Sequence, residues 1–169
     1  MAGADTLIRK WRVSAPGAPA FVLAGLVLAA AGPGRAAGAF YVGTWTFIGE
    51  QRALWADRQH PLDPAEPARL HGKTIVITAQ AISGPPPYIC RNPHFRIHDY
   101  AADMLFEGAF GDMHDRDHSA DPAKIAAALG FHGATFKTLE SGCDFDIHFL
   151  DGNTAKVGLN DFVYTLKRR

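Results

Sequence analysis

The densest run of side chains able to do chemistry is Asp112-Met113-His114-Asp115-Arg116-Asp117-His118-Ser119. Imidazole with carboxylate suits zinc, and a thioether beside it suits copper, so His114 and His118 form a candidate metal pair. On a helix the two imidazoles share a face; in a loop leading to Asp121 they need not. Asp115, Asp117, Ser119 and Asp121 also follow calcium-loop spacing, but Ala120 stands where that loop needs glycine and Ala126 where it needs a bidentate glutamate. The other reading of the run is a solvated loop.

Two further sets alternate along extended chain. His94, Arg96, His98 and Tyr100 share one strand face, with the outer histidines about 13 Å apart, too far to hold one ion. This face reads as polar exterior, or as an anion- or partner-binding surface centred on Arg96. Asp144, Asp146 and His148 share another, with Lys156 opposite His148. Carboxylates two residues apart on a strand are separated by about 6.6 Å, a distance an acid–base pair could use, although a solvated sheet surface explains the same pattern. The chain contains no nucleophile elbow, no phosphate-cradling glycine loop and no zinc-protease helix motif. The sequence therefore points to a protein that acts by binding rather than by catalysis.

The elements that must position these groups are mostly strands. Cys143, Phe145, Ile147 and Phe149 alternate with Asp144, Asp146 and His148. Asp151-Gly152-Asn153 supplies a turn, and Ala155, Val157 and Leu159 alternate in their stretch as well. Apolar pairing sets Phe149 opposite Ala155 and Ile147 opposite Val157, because a one-residue slip would oppose Phe149 to Lys156. Asn160-Asp161 then makes a two-residue turn that pairs Leu159 with Phe162, Val157 with Tyr164 and Ala155 with Leu166. Strands over 143–150, 154–159 and 162–168 thus form an antiparallel meander. Stretches 41–47, 73–82, 94–99, 104–110 and 135–139 are further candidates, giving about eight strands. One short helix is signed, with Asp121 as N-cap, Pro122 in its first turn and Gly130 as its stop. Pro61, Pro64 and Pro67 make 59–70 a stiff, irregular connector.

Residues 1–39 read as an export signal. Arg9, Lys10 and Arg12 precede the apolar run Ala20 to Ala31, and Ala37-Gly38-Ala39 is a processing site. The run is too short to span a bilayer, which takes roughly 20 apolar residues. Cleavage leaves 40–169 as a single domain, periplasmic or secreted, with a net charge of about −3 that argues against nucleic-acid binding. Cys90 and Cys143 both lie in that domain, and an oxidising compartment favours a disulfide between them.

Eight strands in so short a chain raise the problem of exposed sheet edges, which closure into a small antiparallel barrel resolves, with an open sandwich as the rival architecture. Gly43-Thr44-Trp45 on the first strand and Arg168 on the last resemble the Gly-x-Trp and late arginine of lipocalin-like (calycin) barrels. The resemblance implies that Arg168 packs across Trp45. It also implies an interior that is either filled by its own side chains, the default reading, or takes one small apolar ligand, with Trp45, Phe47, Tyr88, Tyr164 and Arg168 as candidate ligand-binding residues. The stretches around Leu70-His71-Gly72-Lys73, Gly142-Cys143 and Tyr164-Thr165-Leu166 are also similar to uncharacterised secreted proteins of proteobacteria, a likeness that implies no activity. Three functions stay open: a small-ligand binder; a periplasmic inhibitor or stress protein that meets an envelope protein through 59–70 or the His94/Arg96 face; and a zinc or copper carrier using His114 and His118.

Overall fold

The computed structural model describes residues 39–169, so the export signal lies outside the described residues apart from Ala39. Eight strands form one antiparallel sheet: β1 (Gly43–Arg52), β2 (Thr74–Ile77), β3 (Ile82–Ser83), β4 (Arg96–Tyr100), β5 (Phe136–Glu140), β6 (Asp146–Phe149), β7 (Thr154–Leu159) and β8 (Phe162–Arg168). Their spatial order is β3-β2-β1-β8-β7-β6-β5-β4, and the sheet curls into a half-barrel. The C-terminal meander has the expected register, with Phe149 opposite Ala155, Val157 opposite Tyr164, Ala155 opposite Leu166 and Leu159 opposite Phe162.

The sheet does not close through hydrogen bonds, because β3 and β4 are its two edges. A covalent bond spans the gap instead. Cys90 bridges Ile82 of β3 through backbone pairing, and its sulfur is bonded to Cys143, which sits between β5 and β6. The disulfide anticipated from the compartment argument is present.

Alternation divides the buried side chains into two layers. The concave side holds Trp45, Phe47, Ile75, Tyr88, Leu139, Ile147, Val157, Tyr164 and Leu166. On the convex side a second apolar cluster joins Val163 and Phe136 to Leu105, Phe110, Ala126, Leu129 and Phe131. This second layer was not anticipated, and it rests on helices that the sequence reading had not placed.

Three expectations need correction. Residues 104–110 are not a strand: a 3-10 turn (Ala102–Met104) leads into helix α2 (Ala109–Arg116). Phe110 and Met113, three residues apart on α2, form an apolar stripe, and Phe106 in the turn before it joins the same cluster, so burial against the sheet overrides the local strand propensity. Residues 65–70 are not irregular either. Helix α1 (Ala65–Leu70) begins directly after Pro64 and keeps Pro67 within its first turns, where a missing N–H leaves no bond unmade. The stretch 73–82 is two strands, broken where Thr78 N–H bonds back to Ala81 O at 2.9 Å.

The expected helix is α3 (Pro122–Ala128), with Asp121 Oδ1 accepting from the N–H groups of Ala123 (2.9 Å) and Lys124 (3.3 Å). Asp121→Ala should lower unfolding free energy by about 1 kcal/mol and Asp121→Asn by much less, as read from urea midpoints. Equal losses would show that the cap is not what holds the helix start.

Candidate functional site

The five residues expected to hold an apolar ligand are packed against other side chains of the protein. Trp45, Phe47, Tyr88 and Tyr164 are almost wholly buried. Their rings meet one another and their neighbours edge-on or tilted: Trp45 with Phe149 at 5.4 Å, Phe47 with Tyr88 at 5.2 Å, Phe47 with Tyr164 at 5.8 Å and Tyr88 with Phe145 at 5.2 Å. Their polar atoms are satisfied within the fold. Trp45 Nε1–H donates to Tyr41 O (3.0 Å) and Tyr164 O–H to Glu66 Oε1 (2.7 Å). Burial, with Glu66 adding to it, pushes both tyrosine phenols up, so they remain neutral donors.

Arg168 closes one end of this interior. Its Cζ lies 4.4 Å from the Trp45 ring centroid, and its guanidinium donates to Val42 O (2.8 Å), Gly152 O (2.9 Å) and Phe40 O. Gly43 is required here: its φ is +150°, and a Cβ would lie 2.9 Å from Arg168 Nη1. The Gly-x-Trp triplet and the late arginine therefore act as one packing unit, with a cation–π contact of roughly 1 kcal/mol.

The convex face carries a different arrangement. Thr138, His148, Lys156 and Thr165 form a row across β5, β6, β7 and β8. The sequence reading placed His148 and Lys156 on a solvated surface, yet His148 is 1% exposed and Lys156 6%. The α2 and 3-10 segments cover this part of the sheet, which two-residue alternation alone could not reveal. His148 Nε2 accepts the Phe106 N–H at 3.1 Å, so the ring proton sits on Nδ1 and donates to Thr138 Oγ1 at 2.9 Å. Burial holds the imidazole neutral, lowering its pKa to about 3. Lys156 Nζ donates to Thr165 Oγ1 (3.0 Å) and Gln51 Oε1 (3.4 Å), and burial lowers its pKa too.

The segment that covers His148 is strained. Phe106 (φ +52°), Glu107 (φ +60°) and Gly108 (φ +82°) are all left-handed, which costs on the order of 1–3 kcal/mol at each of the two non-glycine positions. This turn aims the Phe106 N–H at His148, packs the Phe106 ring edge-on against the imidazole with centroids 4.6 Å apart, and brings Glu107 to the rim of a cleft. The cleft has a volume of about 310 Å3 and is walled by Trp55, Phe106, Glu107, Asp144, Asp146 and His148. Gly158 forms its floor, and a Cβ there would lie 3.3 Å from Phe106 and 3.5 Å from Trp55. Trp55 Nε1–H donates to Asn160 O at 2.9 Å, which fixes the indole.

Asp146 is half-buried in this cleft. Burial raises its pKa to about 6, with Glu140 and Glu107 adding to the rise while a Ser141 backbone hydrogen bond and His98 oppose it. The network extends to the β4 edge, where Tyr100 O–H donates to Glu140 Oε1 at 2.5 Å and His98 Nε2 lies 3.6 Å from the same oxygen. That hydrogen bond, with burial, pushes the Tyr100 phenol up to about 12. The cleft thus sets a carboxyl that exchanges its proton near neutral pH beside a packed Trp55–Phe106 pair.

The other anticipated residues lie apart from it. His114, on α2, donates Nδ1–H to Ala120 O (2.8 Å), and its ring centroid is 5.3 Å from that of His118, just beyond the helix. Asp117 accepts from Ser119 N–H (2.9 Å) and O–H (2.7 Å), bonds that hold its carboxyl low, and Asp121 serves as the α3 cap. Among the described residues no group of three or more His, Cys, Asp or Glu side chains is placed to hold one ion. His94, Arg96 and His98 are exposed. The Pro-rich segment lines a shallow groove with Leu62, Pro64, Pro67, His71 and Phe162.

Asp144, Asp146 and His148 were singled out in sequence for their alternation, whereas Trp55, Phe106 and Glu107 were missed. The available signal was Glu107-Gly108 directly before a helical apolar stripe, a turn-then-helix pattern. Fold and cleft together define the class: an antiparallel half-barrel with an acidic, aromatic-walled cleft on its convex face. The chain matches no protein-family model, no curated protein and no solved structure.

Proposed function

We propose that this is an exported small-molecule-binding protein whose ligand sits in the cleft bordered by Trp55, Phe106, Asp144 and Asp146. The observation that carries the reading is the contrast between the two faces. On the concave side the aromatic rings fill the interior by packing against one another, while on the convex side a space of about 310 Å3 remains open beside the packed Trp55–Phe106 pair and the strained 106–108 turn. Open clefts with apolar walls and a few convergent polar groups are where small ligands bind. Export is supported by the pattern in residues 1–39 and by the disulfide, which suits an oxidising compartment. Among the described residues no helix is long and apolar enough to cross a membrane.

The test is a fragment screen read by amide chemical shifts. Binding should move the Glu107, Asp146 and Gly158 resonances. Shifts centred on Trp45, Phe47 and Tyr164 would transfer the ligand to the lipocalin-like interior, and an absence of shifts at both places would remove the binding function.

A further inference from the structure

We infer that His114 and His118 form a two-imidazole site for an exchangeable zinc ion, separate from the cleft. Their spacing puts both on one face only if a helix runs through both positions, and α2 ends at Arg116. A turn restores the juxtaposition. Asp117 N–H still donates to Met113 O at 2.9 Å, Ala120 N–H donates back to Asp117 O at 2.8 Å, and the Asp117 carboxylate accepts from both the N–H and the O–H of Ser119. This brings the His118 ring beside His114, with centroids 5.3 Å apart and planes inclined at 59°.

That separation suits a tetrahedral ion. A zinc–imidazole bond of about 2.0 Å places each ring centroid about 3.2 Å from the metal, so two imidazoles meeting at the tetrahedral angle have centroids about 5.2 Å apart. A cis square-planar pair built the same way needs about 4.5 Å. His114 is also held in the tautomer a ligand needs. Ala120 O can only accept, so Nδ1 carries the proton across the 2.8 Å contact and Nε2 keeps the lone pair. Metal-bound imidazoles commonly give their other N–H to a backbone carbonyl, which fixes ring orientation in just this way. His114 is half-buried, whereas His118 is exposed and offers its nitrogen from the solvent side. Residues 112–121 hold four aspartates against Arg116 alone, a local field that favours a cation. Because no third histidine, cysteine or carboxylate ligand converges there among the described residues, water takes the remaining positions and the ion can exchange.

The experiment titrates the protein with zinc chloride at slightly alkaline pH, where imidazoles are neutral, with magnesium chloride as the control. Calorimetry gives stoichiometry and affinity, and the carbon-bound imidazole protons report the place. One equivalent of zinc should bind in the micromolar range and shift the His114 and His118 ring resonances more than those of any other histidine. Magnesium, which prefers oxygen ligands, should leave them unmoved. His118→Ala changes an exposed position, so the metal-free melt should be retained. It should weaken zinc binding at least about tenfold, since even loss of an outer partner costs that much. Absence of zinc binding, binding that moves neither ring, or binding that survives His118→Ala unchanged would overturn the site.

Discussion

Replacing Cys90 and Cys143 together by serine should lower the unfolding free energy by roughly 4 kcal/mol, the chain-entropy value for a loop with a sequence separation of 53 residues. For a domain of this size the melting temperature should then fall by on the order of 15 °C. The effect is large because the bond lies where the half-barrel is open. It ties the β3 side, through the Ile82–Cys90 pairing, to the chain between β5 and β6. Without it, non-covalent contacts such as that between Tyr88 and Phe145, whose ring centroids are 5.2 Å apart, must hold the curl. Calorimetry with and without reductant provides the same comparison without mutation. A shift of only a few degrees would show that the edges are held together by packing alone.

Acidification should destabilise the protein through His148, and the sign follows from the direction of its shift. The folded imidazole titrates near 3, against an ordinary value of 6.5, so as pH falls the unfolded chain takes the proton first. This contribution is intact above about pH 6.5 and is lost at up to about 1.4 kcal/mol per pH unit on the way down to about pH 3. Asp146 works in the opposite sense. Its raised pKa means the folded state binds a proton more readily than the unfolded chain between the ordinary 3.8 and about 6, which favours folding on acidification. Because Asp146 is only half-buried, solvent screening weakens its effect and His148 dominates.

Substitution His148→Gln separates the two contributions. Glutamine can still accept the Phe106 N–H but cannot titrate, so the acid-dependent loss should vanish and the residual slope should take the Asp146 sign. His148→Ala should cost about 3 kcal/mol at pH 7.5, because it leaves a cavity and a buried N–H unpaired under an already strained turn. Urea unfolding across pH 4 to 8 measures all of this. Parallel pH profiles for the wild type and His148→Gln would refute the assignment of a neutral, buried imidazole.

Sequence alone determined the C-terminal meander that lines much of the concave face. Period-two alternation from Cys143 to Leu166, combined with turns of defined length, admits one register, because any one-residue slip drives Lys156 or Asp146 into an apolar layer. The cap at Asp121, the pairing of Cys90 with Cys143 and the stacking of Arg168 on Trp45 were legible for the same reason: each depends on short-range chemistry or on a partner of a rare type.

The convex half was decided only by tertiary structure. Alternation states that His148 and Lys156 point away from Ile147 and Val157, but it cannot state whether water or protein meets them there. That depended on the 106–108 turn and on α2, whose short apolar stripe of Phe110 and Met113 does not outweigh strand-forming side chains until it has a sheet to pack against. Once the helix docks, His148 loses its hydration and its charge, Asp146 is partly desolvated, and Trp55 meets Phe106 across a glycine more than fifty residues away in the chain. The cleft is therefore a product of desolvation, and desolvation is a property of what covers a residue rather than of its neighbours in sequence.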